Sequence, residues 1–232
     1  MTSPGMDRQD DPDDAHGDRG DDPDQDLVVI AIDGPAGAGK STVGRAVARR
    51  LGLEYLDTGA MYRAVTFAAL RRGVPVHDVE AVAALARTLQ LTVDGIDATR
   101  EIRGRDVTEC VSAVAANSAV RAELVSRQRA WARARGGGVI EGRDIGSVVF
   151  PSARLKLYVT ASPRVRAERR VGDIGGDVRD VEAAIIERDR KDSTREDSPL
   201  REAHGAVVLD TTGLSIDEVV EQVLALLEPT SR

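Results

Sequence analysis

Cysteine is nearly absent from this 232-residue chain. The single Cys110 excludes an intramolecular disulfide framework and a multi-cysteine zinc site. Aromatic residues make up only 3%, which argues against a nucleic-acid binder built on stacking platforms. No apolar run approaches the ~18 residues that a bilayer-crossing helix needs. The first residues are acidic, unlike a signal peptide or a basic transit peptide. The expected setting is the cytoplasm, with neither membrane nor nucleic acid as a partner, and a monomer is expected.

Positive charge is also scarce at the N-terminus. Residues 1–26 hold ten Asp and two Arg, a net charge of −8. The whole chain is −7, so the body from residue 27 onward is nearly neutral and can accommodate an anion. In the first 26 residues only Met1, Met6 and Ala15 are apolar. Such a segment cannot bury enough surface to offset its ordering entropy, so residues 1–26 are expected to be a disordered acidic tail. The remaining length suits one domain, expected over 27–228. Apolar residues at 41% are enough for a core.

Leu27–Ile32 is an unbroken apolar run, the pattern of a strand buried on both faces. Short runs of the same kind recur at Leu53–Leu56, Gly138–Ile140, Leu155–Val159 and Ala206–Leu209. Helical periodicity separates them at Lys40–Leu51, Ala60–Arg71, Val120–Ala134 and Val181–Lys191. Ser162-Pro163 reads as an N-cap followed by the first helical position. Ser215 and Glu218 form a capping box for a last helix ending before Pro229. Alternating strands and helices predict an α/β fold with a five-stranded parallel sheet and helices on both faces. Two stretches interrupt the alternation. Residues 88–112, with Leu91-Thr-Val, Asp94-Gly95 and Glu101-Ile102-Arg103-Gly104, read as a small antiparallel insert. The Gly- and Asp-rich residues 171–180 read as a lid between basic helices.

Gly34-Pro35-Ala36-Gly37-Ala38-Gly39-Lys40-Ser41 satisfies G-x-x-x-x-G-K-[ST], directly after the first strand and opening a helix. The glycines let backbone N–H groups turn toward phosphate oxygens, Lys40 adds charge at the β/γ-phosphates, and Ser41 can offer its hydroxyl to Mg²⁺. Thr42 continues into the helix whose positive N-terminus faces the anion. The alternative, a Gly-rich turn with a solvated lysine, does not account for the strand-loop-helix context. The loop leaves the acceptor open, because GTPases, motor ATPases and kinases share it. The lone asparagine, Asn117, is followed by Ser118, so a guanine-reading Asn-Lys-x-Asp is missing. A mechanical ATPase would need a longer chain.

Phosphoryl transfer between two bound molecules needs a second anion site facing the loop. Arginine suits it, because the guanidinium fork matches phosphate oxygens. Arg63 follows Asp57-Thr58-Gly59-Ala60-Met61-Tyr62, and Arg143 follows the strand ending at Ile140, within Glu141-Gly142-Arg143-Asp144. The carboxyl ends of parallel strands form the ligand crevice. Arg188, Asp192 and Arg195 are spaced i, i+4, i+7 and share one helix face. A solvated ion pair is the plainer reading of that segment alone.

Four segments together resemble the bacterial cytidylate kinases: Ile32-Asp-Gly-Pro-Ala-Gly-Ala-Gly-Lys, Leu56-Asp-Thr-Gly-Ala-Met-Tyr-Arg63, Glu141-Gly-Arg-Asp-Ile-Gly-Ser-Val-Val-Phe-Pro151 and Glu187-Arg-Asp-Arg-Lys-Asp-Ser-Thr-Arg195. The closing Val208-Leu-Asp-Thr-Thr-Gly-Leu-Ser-Ile also resembles them. The resemblance runs from about Leu27 to Leu227. It implies a P-loop nucleoside monophosphate kinase fold, with ATP and Mg²⁺, and transfer of the γ-phosphoryl group to CMP or dCMP. It implies a CMP-binding insert over about 85–125 and a lid over about 170–195. It implies that Arg63, Arg143 and Arg195 grip the CMP phosphate, that Arg188 and Asp192 contact the sugar, and that Ser112, Arg121 and Asp144 read the cytosine, with Asp57 and Thr58 in the same substrate site. An arginine can donate to cytosine O2 and N3 and an aspartate can accept from N4, whereas uracil reverses N3 and position 4. Arg190 and Lys191 are expected as lid cations beside Lys40, Arg143 and Arg188 in catalysis.

Small departures from the family pattern are present. Thr58 stands where serine is common, Glu141 where aspartate is common, and Ser41 where glycine is sometimes found. Each keeps the chemistry. The rival readings are the same transfer to UMP, AMP or a non-nucleotide acceptor, and a regulatory protein that binds ATP without acceptor-dependent turnover. A nucleic-acid-binding reading of Arg164, Arg166, Arg169 and Arg170 has little support, given the neutral body and few aromatics.

Overall fold

The computed structural model describes residues 24, 26–90 and 98–227. Its centre is a five-stranded sheet in the order β2-β3-β1-β4-β5, with every neighbouring pair parallel. The strands are β1 (Val28–Asp33), β2 (Tyr55–Asp57), β3 (Gly137–Glu141), β4 (Leu155–Thr160) and β5 (Val207–Asp210). β3 is buried along its whole length and β1 at all but its first residue. This explains why these strands are continuous apolar runs rather than alternating ones.

The two faces of β1 feed two separate cores. Ile30 and Ile32 pack with Val43 and Val47 of α1 (Lys40–Leu51) and with Val219, Val220 and Val223 of α9 (Ile216–Ala225). Val29 and Ala31 pack on the opposite face with Ile140, Ala132 of α6 (Ser118–Arg133), and Ile145, Val149 and Phe150. Each such aliphatic side chain removed from water contributes about 1.5–3 kcal/mol before entropy is counted.

A third core lies beside the sheet. It joins Tyr62 and Val65 of α2 (Thr58–Arg71), Val82, Ala83 and Ala86 of α3 (Val79–Thr88), Val111 and Val114 of α5 (Arg105–Ala115), and Val120 and Leu124 of α6. Here the structure departs from the antiparallel insert expected over 88–112. Within the described residues this segment is helical, with a short α4 (Ala98–Glu101) followed by a turn and α5. Glu101-Ile102-Arg103-Gly104 is the end of α4 and that turn, not a strand. The physical reason is that Val107, Val111 and Val114 recur at i, i+4 and i+7, and this helical stripe is buried as α5 packs on α2 and α6. Leu91-Thr-Val and Asp94-Gly95 lie outside the described residues.

The Gly-rich stretch expected as a lid is the turn of a helical hairpin, α7 (Pro163–Ile174) and α8 (Val178–Thr194). Ser162 caps α7 with Pro163 just inside it, and Asp177 caps α8. The Ser215–Glu218 capping box of α9 is formed in both directions. Most of the acidic tail, residues 1–23 and 25, lies outside the described residues. Asp24 differs from the solvated tail expected there. It is buried and accepts from Arg133 Nε and Nη2 at 2.7 and 3.1 Å. Among the described residues no helix is long and apolar enough to cross a membrane.

Candidate active site

The carboxyl ends of β1, β2 and β3 open into one cleft, where the strand order turns back on itself at β1. From β1 comes the phosphate loop. Gly34, at φ 143°, lies so close to β4 that a Cβ would sit 2.0 Å from the Val159 carbonyl oxygen. Gly39 takes φ 87° in the residue that leads into α1, a region that favours glycine. Ala36, Gly37, Lys40 and Ser41 line the cleft. Gly34, Pro35, Ala38, Gly39 and Thr42 complete the loop and the first turn of α1 behind them. Lys40 Nζ donates to the Pro35 carbonyl at 2.7 Å. Burial, and then the neighbouring Arg143, push the Lys40 ammonium down to about 7.

From β2 comes Asp57, whose carboxylate caps α2 through the Ala60 N–H at 3.0 Å and pairs with Arg103 at 2.9 Å. Thr58 donates its hydroxyl to the Glu141 carbonyl at 2.7 Å, which ties α2 to the end of β3. Arg63, one turn on, donates to Ile102 O and Thr108 Oγ1. From β3 come Glu141, Arg143 and Asp144. Ser41 donates to Glu141 Oε1 at 2.7 Å, while Glu141 Oε2 is buried without a hydrogen-bond partner. Burial, and then Asp57, raise the Glu141 carboxyl against the pull of Lys40.

The helices supply the rest. Ser112 of α5 lines the cleft. Arg121 of α6 is buried in an ion pair with Asp144 and lies over the Tyr62 ring, 5.6 Å from its centroid. Burial raises Asp144, and Arg121 and Arg195 oppose the rise. From α8, Asp192 pairs with Arg143 at 2.9 Å. Burial alone would lower Arg143, but Asp192, with Asp189 and Glu141 behind it, leaves it raised. Burial and then Arg143 bring Arg188 down to about 9, and burial and then Arg103 bring Arg63 down to about 10. Both stay protonated at neutral pH.

The same cleft thus holds Lys40 and seven arginines, 63, 103, 121, 143, 170, 188 and 195, against the carboxylates of Asp57, Glu141, Asp144 and Asp192. Arg188 Nε and Arg195 Nη2 are buried with no hydrogen-bond partner. Buried donors without acceptors, next to cations that repel one another, mark a site whose missing partner is an anion.

All the residues expected in the substrate site meet here: Asp57, Thr58, Arg63, Ser112, Arg121, Arg143, Asp144, Arg188, Asp192 and Arg195. Arg190 and Lys191 do not. They are exposed, and both pair with Glu187. Arg190 is turned away from the face that carries 188, 192 and 195, whereas Lys191 stands at the flank of that face and its side chain turns outward to Glu187.

Three contributors were not assigned to this site from the sequence. Arg170 of α7 lines the cleft. It stands i+4 from the buried Arg166, and that spacing was its available signal. Arg103 comes from the segment read as an insert strand. Asp33, the last residue of β1, accepts from the Ile145 and Gly146 N–H groups at 2.8 Å each. It thereby holds the π-helical turn Ile145–Val149 that follows Arg143 and Asp144. Burial pushes Asp33 up to about 6. Its position at a strand end next to the loop was legible, but its partners 112 residues away were not.

A profile of the family described as cytidylate kinase matches residues 30–229. A bifunctional pantoate ligase/cytidylate kinase of Prochlorococcus marinus strain MIT 9303 is 49% identical over 216 residues, which cover 85% of this chain and 44% of that protein. Cytidylate kinases of Streptomyces avermitilis and Streptomyces griseus are 45% and 47% identical over 214 residues, 87% of this chain and 93% of theirs. The chain therefore spans less than half of the bifunctional relative but nearly the whole of the Streptomyces enzymes. With a family match over most of its length and identities of this size, the chain belongs to the cytidylate kinase family.

Proposed function

We propose that this chain transfers the γ-phosphoryl group of ATP to CMP or dCMP, giving ADP and CDP or dCDP. The observation that carries the reading is one cleft in which a phosphate loop faces an arginine cluster and a buried Arg121–Asp144 pair. The loop holds the donor phosphates. Arg63, Arg143 and Arg195 hold the acceptor phosphate, and Arg188 and Asp192 the sugar. Ser112, Arg121 and Asp144 read the base, with Asp57 and Thr58 shaping the wall beneath. Arg121 supplies donors toward cytosine O2 and N3, and Asp144 accepts from the N4 amine. Uracil presents an acceptor where that amine stood, leaving a buried carboxylate facing an oxygen.

No dedicated base is required, because the acceptor phosphate is already anionic. Rate comes from positioning and from charge stabilisation by Lys40 and the cleft arginines. We assign the cation role on the helical hairpin to Arg170, which lines the cleft, in place of Arg190 and Lys191. Ser41 and Glu141 offer the hard oxygen donors that suit Mg²⁺. Among the described residues no group of three or more His, Cys, Asp or Glu could hold a metal alone, so the nucleotide phosphates would complete its shell. When bound, the ion neutralises charge on the β- and γ-phosphates. Both halves of the cleft come from one chain, which supports a monomer. The family and the single cysteine fit the cytoplasm.

The test is ADP release from Mg-ATP with CMP, dCMP, UMP and AMP supplied separately. Turnover with CMP and dCMP far above the others is expected. Equal turnover without an acceptor would replace the kinase reading with an ATPase or switch. Turnover only with another acceptor would discard the base-reading roles.

A further inference from the structure

Ala36 sits inside the phosphate loop, yet both of its peptide groups are held by the helical hairpin. Its N–H donates to Asp189 Oδ1 at 3.1 Å, and its carbonyl accepts from Arg166 Nη1 at 2.9 Å. The same Arg166 nitrogen bonds Asp189 Oδ2. Ala36, Arg166 and Asp189 therefore close a ring across the loop, α7 and α8. Arg166 is itself buried and fixed through Nε to the Ala161 carbonyl, just past β4, at 2.9 Å. The neighbouring Gly37 is close enough to α7 that a Cβ would meet Arg166 Cβ at 3.3 Å.

An exposed ion pair would contribute little. This one is different because the Arg166 side chain is 6% exposed and that of Asp189 18%, and its two arms end on the two peptide groups that flank one loop residue. The bond to Asp189 also withdraws the Ala36 N–H from the donors that can meet a phosphate and pins that limb of the loop.

Asp189 lies between two jobs of the same helix. Arg188, Asp192 and Arg195 turn toward the acceptor half of the cleft. Successive residues are rotated by about 100°, so position 189 turns instead toward the loop. A helix is stiff over one or two turns. An anion held by Arg188 and Arg195 therefore acts on the same turns of helix that carry Asp189.

We propose that Asp189, braced by Arg166, is a positioning residue that couples the acceptor half of the cleft to the phosphate loop. Occupation of either half sets the Ala36 peptide and strengthens binding in the other. The proposal rests on the reading of the cleft as a donor–acceptor kinase site. Coupling of this kind is reciprocal and is expected at about 5–150-fold.

The experiment measures the affinity of a non-hydrolysable ATP analogue with and without CMP, and of CMP with and without the analogue, in the full chain and in D189N. Wild type should show each ligand tightening the other by the same factor, about fivefold or more. In D189N that factor should fall to within about twofold of one, while each ligand alone binds within about threefold of wild type and kcat drops about tenfold. D189E, which keeps the charge, should recover part of the coupling. D189N with wild-type coupling overturns the proposal, as does a wild type with none.

Hydrogen exchange of wild type provides a reading free of folding defects. CMP alone should slow exchange in residues 34–41, and no change there overturns the coupling. If the acceptor panel shows no CMP-dependent turnover, the kinase reading has failed. If turnover is present and only the coupling is missing, the role of Asp189 alone has failed.

Discussion

Arg121 and Asp144 form a buried ion pair between the start of α6 and the loop after β3, with Arg195 Nη2 3.8 Å from the second Asp144 oxygen. Two distant elements, a helix start and a strand end, thus meet at one end of the cleft. Removing one partner of a buried pair strands the other charge, at a cost of about 3–5 kcal/mol. The pair therefore shapes this end of the cleft.

D144N keeps the side-chain shape and removes the charge. Its kcat/KM for CMP should fall about 100-fold or more, while that for UMP falls less, so the CMP:UMP ratio narrows. Steady-state kinetics with both acceptors check this. An unchanged ratio would mean that Asp144 does not face the base.

K40A should lower kcat by about 10²–10³-fold or more with the fold intact by circular dichroism. In the free protein Lys40 titrates at about 7, and a bound polyphosphate favours its charged form. Binding of an ATP analogue at pH 8 should therefore take up close to one proton and at pH 6 almost none. Calorimetry in two buffers of different ionisation enthalpy measures the uptake. No uptake at pH 8 would mean that Lys40 is already charged there.

R170A should reduce kcat by about 10-fold or more, since it removes a cleft cation. R190A and K191A should stay within about twofold, because surface pairs such as theirs with Glu187 carry only about 0–1 kcal/mol. Parallel turnover assays decide it. The reverse ranking would place the exposed face of α8, not α7, over the substrates.

Asp33 titrates at about 6 in the folded chain against an ordinary 3.8. The folded state holds that proton more tightly, so the stabilisation it brings is full below about pH 4 and is lost as pH rises through about 6. Asparagine has no such titration. The stability of wild type relative to D33N should decline between pH 4 and 6, by at most about 3 kcal/mol, and level off above 7. Urea midpoints across that range measure it, and a flat difference would mean that Asp33 is ionised throughout. D33N should also slow turnover, since it loses one of the two N–H bonds that hold the turn behind Arg143 and Asp144.

Much of the architecture could be read directly from residue order. Continuous apolar runs at β1 and β3 betray burial on both faces, and the phosphate loop between β1 and α1 carries its own geometry in its glycines. Helix ends such as Ser162-Pro163 and Ser215–Glu218 are local chemistry, and they formed where local chemistry places them. These features were legible because they depend on neighbours a few residues apart.

What depended on distant partners was decided only by the tertiary structure. The segment 105–115 is helical because its valines are buried where α5 packs on α2 and α6. Arg170 enters the cleft while Arg190 and Lys191 leave it, because packing of α7 on α8 chooses which face turns inward. Asp33 matters through an N–H pair more than a hundred residues away, and Asp189 through a peptide 153 residues away. Side-chain charge and strand pattern are properties of the chain. Which cations crowd together until only an anion satisfies them is a property of how the elements pack.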